Sequence, residues 1–179
     1  MLSESITNAL NSQINAEIYS SYFYFAMSAY TESISLKGAA NWLYVQAQEE
    51  MTHAIHMYQY VLDRGAAPSL PAIQAPDAEF SDLGDVFNKV LAHEQMVTER
   101  INNIATLAMQ ENDHATYQFI MWYVNEQVEE ESNVSELLSK LKMIDNNRGL
   151  ILNLDQELAA RVFANPFPND AKLGGRATA

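Results

Sequence analysis

Residues 87–108 read FNKVLAHEQMVTERINNIATLA. At alternating steps of three and four this gives Phe87, Val90, Glu94, Val97, Ile101, Ile104 and Ala108. Such spacing is the apolar stripe of an α-helix, and a carboxylate interrupts it near the middle. Three other stretches repeat the pattern. Ile120, Tyr123, Gln127, Glu130, Val134, Leu137, Leu141 and Ile144 form one. Leu43, Ala47, Glu50, Ala54, Met57 and Val61 form another, with His53 one turn on from Glu50. The first is looser: Ile6, Leu10, Gln13, Glu17, Ser20, Tyr24 and Met27. A bare carboxylate is costly to bury, so it takes up a proton or gains a partner. Four of them on converging faces point to cations.

The 179 residues suit one domain with a substantial core, and 48% of them are apolar. Six glycines and five prolines, the latter confined to 68–76 and 166–168, leave long uninterrupted tracts. An all-α chain is expected. The absence of cysteine excludes thiol catalysis, disulfide scaffolding and cysteine-ligated clusters. The net charge of −13 opposes nucleic-acid and anionic-membrane partners. No apolar run is long enough to span a bilayer and the start lacks signal-peptide character, so a cytoplasmic protein is expected.

Capping and breaking residues divide the chain. The first helix is expected from Ser3 or Ser5 to about Thr31, and the second from after Ser35 to Arg64, stopped by Gly65. Residues 65–80 hold three prolines and no helical period. The third helix is expected from Ser81 or Asp82 to about Gln110, the fourth over 114–143 and a short fifth over 147–162. This gives a bundle domain over 1–162 and an irregular tail over 163–179. The sixteen-residue connection can span ~50 Å, more than the ~40 Å of a 28-residue helix, so it can cross the bundle lengthwise. A four-helix bundle with one long crossover follows. Glu17, Glu50, Glu94 and Glu130 each lie near a helix midpoint, ~20 Å from the helix start at 1.5 Å per residue. Midpoints coincide whichever way a helix runs, so all four are expected in one layer.

Glu50 and His53, three apart, share a helical face and can grip one metal ion. With Glu17, Glu94 and Glu130 they offer one nitrogen and up to eight oxygens. Two divalent cations would balance the four negative charges. That donor set suits iron or manganese. A lone glutamate on an apolar stripe is ordinarily a snorkelling or interface residue; the coincidence of four favours metal.

Three segments, NAEIYSSYFYFAMSAY (15–30), NWLYVQAQEEMTHA (41–54) and MWYVNEQVEEE (121–131), resemble the helices of bacterial non-haem ferritins. The resemblance covers essentially the whole chain and implies the ferritin-like di-iron bundle. It implies ferroxidase activity, with Glu17, Glu50 and His53 holding one iron and Glu50 bridging to a second on Glu94 and Glu130. Gln127 would be a hydrogen-bonding neighbour or weak ligand. Tyr24 matches the family's tyrosine near the irons, and is equally readable as a buried tyrosine with a satisfied hydroxyl. Glu49, Glu126 and Glu129 match a third iron site, and without the family read as solvated glutamates. Fe(II) and O2 or H2O2 would be the reactants, and a 24-subunit homo-oligomeric shell would store the ferric mineral.

Gln127 and Glu130 on the fourth helix, in place of a second Glu-x-x-His element, favour the ferritin branch over bacterioferritins. Met51, however, stands where bacterioferritins place the methionine that ligates haem between two subunits, which makes a haem-containing storage protein the alternative. The remaining candidates have simpler readings. Met27, Met57, Met96, Met121 and Met143 read as core fillers, and Trp122 as core beside Glu126. His56 and His93 read as surface or interface residues. Glu111, Asp113 and His114 form a turn that, by resemblance, lies near a channel.

Overall fold

Ser3 starts the first helix by accepting a hydrogen bond from the Ile6 amide at 3.2 Å, the arrangement that satisfies an otherwise unpaired N–H of a first turn. The computed structural model describes residues 1–145 and 147–167. Five helices occur among them: α1 Glu4–Ser33, α2 Lys37–Asp63, α3 Leu83–Gln110, α4 His114–Ile144 and α5 Arg148–Leu158. No strand occurs among the described residues. Asp82 and Asp113 cap α3 and α4 through their side chains.

The first three helices end alike. After α1, Leu36 N donates to Thr31 O and Ser35 N to Glu32 O, with Ser35 left-handed at φ 65°. Gly65 at φ 76° and Asn112 at φ 57° close α2 and α3 with the same pair of bonds. This is the Schellman termination, which satisfies orphaned carbonyls and reverses the chain sharply. Leu36 thereby becomes the N-cap of α2, and Asp113 that of α4. The turns at Ile34–Leu36 and Glu111–Asp113 are too short for anything but helical hairpins.

The chain forms two compact units. Among the described residues, one comprises Met1–Ala78 with residues 154–167; the other lies within Glu79–Asn153. In the first, α1 and α2 are fixed by side chain to backbone bonds. Ser21 Oγ donates to Ala47 O at 2.7 Å and Ser28 Oγ to Ala40 O at 2.8 Å. Seven residues forward on α1 correspond to seven back on α2, so the helices are antiparallel. Four residues back from Ser21 is Glu17, and four on from Ala47 is Met51, next to Glu50. The register therefore sets Glu17 against Glu50. The connection after α2 turns back along α1: Asn11 accepts from Ser69 N, and Asn15 reaches Pro71 O.

The end of α5 belongs to this unit and completes α2. Leu36 offers no side-chain cap. Instead Asp155 Oδ1 accepts from Ala39 N at 2.8 Å, and Asn41 Nδ2 donates to Arg161 O at 2.9 Å. Close approach requires Gly38, where a Cβ would lie 1.6 Å from the Asp155 carbonyl oxygen. The fifth helix ends at Leu158, short of the expected residue 162; residues 163–167 carry no helix, and the rest of the tail lies outside the described residues.

In the second unit α3 buries Val86, Phe87, Val90, Val97 and Ile101, and α4 buries Ile120, Tyr123, Val134 and Leu137. Three expectations fail here. His93, read as a surface or interface residue, is 7% exposed, which overturns the surface reading, because the buried face of α3 is wide enough to include a second row through Val86, Val90, His93 and Val97. Met96 and Met143 are exposed, not core fillers, since each lies roughly 130–160° from the centre of its helix's apolar stripe. Met27 and Met57 are buried as expected, whereas Met121 and Trp122 are half-buried.

Burial, aided by Arg100, lowers the His93 pKa to about 4, and burial, aided by His56, lowers that of His53 to about 3. Both imidazoles are neutral when folded and take protons on unfolding below about pH 6.5. The unfolded state then binds more protons, so both histidines erode stability as pH falls from 6.5 towards these values. The metal-free parent should lose roughly 2 kcal/mol more between pH 7 and pH 5 than His93→Gln, as read by urea unfolding. Equal losses would contradict the burial effect. Gly38→Ala should cost about 1–3 kcal/mol through overpacking, and hydrogen exchange should show faster exchange at the Ala39 amide. Gly149→Ala, whose Cβ meets nothing closer than 3.4 Å, should be neutral or slightly stabilising.

Candidate metal centre

Glu17 on α1 and Glu50 and His53 on α2 come together in the first unit. Each offers one ligand atom, and these atoms all lie within 4.8 Å of one another. All three residues are 3% exposed or less. A divalent ion with ~2.1 Å bonds needs ligand atoms ~3–4 Å apart, so side-chain shifts below ~1 Å would close the group. The cause is local and double. The spacing of three puts Glu50 and His53 on one face, and the Ser21–Ala47 register brings Glu17 to that face.

His53 Nδ1 lies 3.6 Å from Glu50 Oε2, too long for a hydrogen bond. With a pKa near 3 the imidazole is also uncharged near neutral pH, so the pair is no salt bridge. A neutral imidazole is the form that ligates metal. On the other side of the group, Gln13, fully buried, donates through Nε2 to Glu17 Oε1 at 2.8 Å. Phe167 meets the His53 ring edge-on at 6.2 Å and lies tilted by 31° over His56, with centroids 3.7 Å apart.

The second unit carries Glu94, Gln127 and Glu130, all buried. Gln127 Nε2 donates to Glu94 Oε2 at 3.1 Å and to the Glu94 carbonyl at 3.2 Å. It also lies 3.4 Å from Thr98 Oγ1, whose hydroxyl donates to Glu131 Oε1 at 2.6 Å. Glu130 follows Gln127 by three residues, on the same buried face of α4. Gln127, expected as a hydrogen-bonding neighbour or weak ligand, thus has its amide on the carboxylate and carbonyl of Glu94. Thr98 and Glu131 extend this contact and were absent from the sequence reading.

Tyr24 is completely buried on α1. Glu49 is half-buried and ion-paired with Arg161, whose guanidinium also lies 4.4 Å above the Trp42 ring. Of the other third-site candidates, Glu126 is half-buried and Glu129 exposed on α4. Met51 is half-buried. Asp113, read as part of a channel turn, spends its carboxylate on the N-cap of α4 and on the Thr116 hydroxyl. Gln13 was visible in the α1 stripe as a polar interruption one turn before Glu17. Arg161, at the end of the expected fifth helix, and Phe167, in the tail, gave no signal, because nothing in the local composition says where this segment docks.

Comparison with known proteins gives the family and the fold. Residues 7–144 match the family model described as ferritin-like domain. The bacterial non-heme ferritin of Staphylococcus aureus (strain USA300) is 39% identical over 163 residues, 91% of this chain and 98% of that protein. The bacterial non-heme ferritin of Escherichia coli O6:H1 is 38% identical, over 89% and 96%. An engineered closed form of the Archaeoglobus fulgidus ferritin superposes with a TM-score of 0.90 at 46% identity, covering 92% of this chain and all of that one. The fold is accordingly the all-α four-helix bundle with a short C-terminal helix. The chain belongs to the ferritin family, alongside the bacterial non-heme ferritins.

Proposed function

We propose that this iron-storage protein of the ferritin family is itself a ferroxidase, oxidising Fe(II) at an intrasubunit di-iron centre. The observation that carries the reading is the buried Glu17–Glu50–His53 group, with its three ligand atoms within 4.8 Å. In it one imidazole is held neutral beside two carboxylates. Oxygen-rich ligation with one nitrogen suits iron better than copper. One Fe(II) is taken by Glu17, Glu50 and His53, and a second by Glu94 and Glu130, with Gln127 steadying Glu94.

Each Fe(II) gives up one electron. The oxidant, O2, accepts both electrons and two protons to leave as H2O2; with H2O2 as oxidant the same two electrons and two protons yield water. Carboxylates favour the harder ferric ion, so the ligand set drives the oxidation in the required direction. On this reading the buried Tyr24 would tune the centre or donate an electron to it. Glu49, Glu126 and Glu129 form the third iron site, where Fe(II) would have to displace Arg161 from Glu49. The product is stored in a homo-oligomeric shell, 24 subunits by family resemblance, in the cytoplasm. No helix among the described residues is long and apolar enough to cross a membrane. Haem on Met51 is not favoured, the curated relatives being named non-heme ferritins.

The test is stopped-flow oxidation of two Fe(II) per subunit in the presence of O2. Glu50→Ala, His53→Ala and Glu94→Ala should each slow the fast phase by at least about 100-fold, a loss of roughly 3 kcal/mol of transition-state stabilisation. Oxidation that stays fast in Glu50→Ala would remove the catalytic assignment while leaving storage intact.

A further inference from the structure

We propose that Gln13 is a positioning residue for the metal centre, fixing the Glu17 carboxylate as a ligand while leaving its negative charge available to the cation. The inference rests on the ferroxidase reading and adds to its residues. Gln13 lies one helical turn before Glu17 on α1, and helical side chains lean towards the N-terminus. The Glu17 carboxylate therefore swings back onto the Gln13 amide, with Nε2 to Oε1 at 2.8 Å. Gln13 is fully buried and Glu17 is 2% exposed, so bulk water does not compete for this bond.

The chemistry of position 13 is selective. A lysine or arginine there would hold Glu17 more tightly, but would cancel the charge that a divalent ion needs. An apolar residue would leave the carboxylate free to rotate. A neutral amide donor orients one oxygen and neutralises nothing. The second unit uses the same device, since the Gln127 amide donates to the Glu94 carboxylate. Each unit thus pairs a buried glutamine with a buried glutamate. Hydrogen bonds that orient metal ligands typically affect metal affinity 10–100-fold.

The test compares the full-length protein with Gln13→Met, which keeps the length and removes the donor, and Gln13→Lys, which adds a competing charge. Co(II) serves as an oxygen-stable probe of the centre, read by its visible absorption, alongside the Michaelis parameters for Fe(II) oxidation. Co(II) affinity should fall about tenfold in Gln13→Met and further in Gln13→Lys, with an altered absorption band. The KM for Fe(II) should rise more than kcat falls. A merely structural role would lower the melting temperature and leave the affinity and spectrum of the folded molecules unchanged; that result overturns the proposal. If only one variant folds, parental affinity in that variant is sufficient to overturn it. A parent whose Co(II) binding is absent, or survives His53→Ala, overturns the underlying metal reading as well. Parental binding that His53→Ala abolishes and Gln13→Met leaves unchanged overturns the positioning role alone.

Discussion

Carboxylates out of water carry a solvation penalty of several kcal/mol each, and this constraint organises the α1–α2 hairpin. Glu17 and Glu50 occupy positions that a stable helix pair would give to leucine, with Leu10, Met27, Leu43 and Met57 buried above and below them. The hairpin folds around them because nearly everything else in it is favourable. Ser3 caps the start of α1, the Ser35 termination reverses the chain, and two serine hydroxyls lock the register. The apolar face supplies the driving force, roughly 25 cal/mol for each Å² buried. The site is a local violation of core chemistry tolerated by the consistency of its surroundings.

The polar groups around the carboxylates follow one rule: they orient without neutralising. Gln13 and Gln127 donate neutral amides, and the imidazole of His53 stays uncharged in its buried setting. Cations appear one layer further out, where Arg161 pairs with Glu49 over the Trp42 ring. This gradient, neutral donors inside and a fixed cation on the half-buried glutamate, leaves the inner carboxylates to the divalent ion. It also gives the C-terminal segment a structural part. The same stretch caps α2 through Asp155 and rests Phe167 on His56.

Much of this architecture was legible in the sequence. Helix ends were set by residues with a local mechanism, so Ser3, Gly65 and Asp82 marked boundaries to within a few residues. Glu17 and Glu50 were legible because a carboxylate in an apolar stripe contradicts its surroundings, and His53 because it follows Glu50 by three on the same face. What escaped depended on contacts far apart in sequence. Asp155 caps a helix that starts 118 residues earlier, and no local pattern announces that. His93 escaped for a different reason. It has no carboxylate at ligand spacing, and burial of a neutral imidazole needs only a wide apolar face. Met96 and Met143 are the opposite case, apolar by type but set by helical phase on the exposed side of their helices. Thr98 and Glu131 act through a hydrogen bond between helices, which spacing within either helix does not encode.

The claim on which the account stands is that divalent cations offset the buried carboxylates of α1 and α2. Anomalous diffraction from crystals soaked anaerobically in Fe(II) tests it most directly. The account predicts an iron peak about 2.0–2.3 Å from a carboxylate oxygen of Glu17, one of Glu50 and a ring nitrogen of His53. A map with iron only at surface carboxylates, and none among these three side chains, would contradict it.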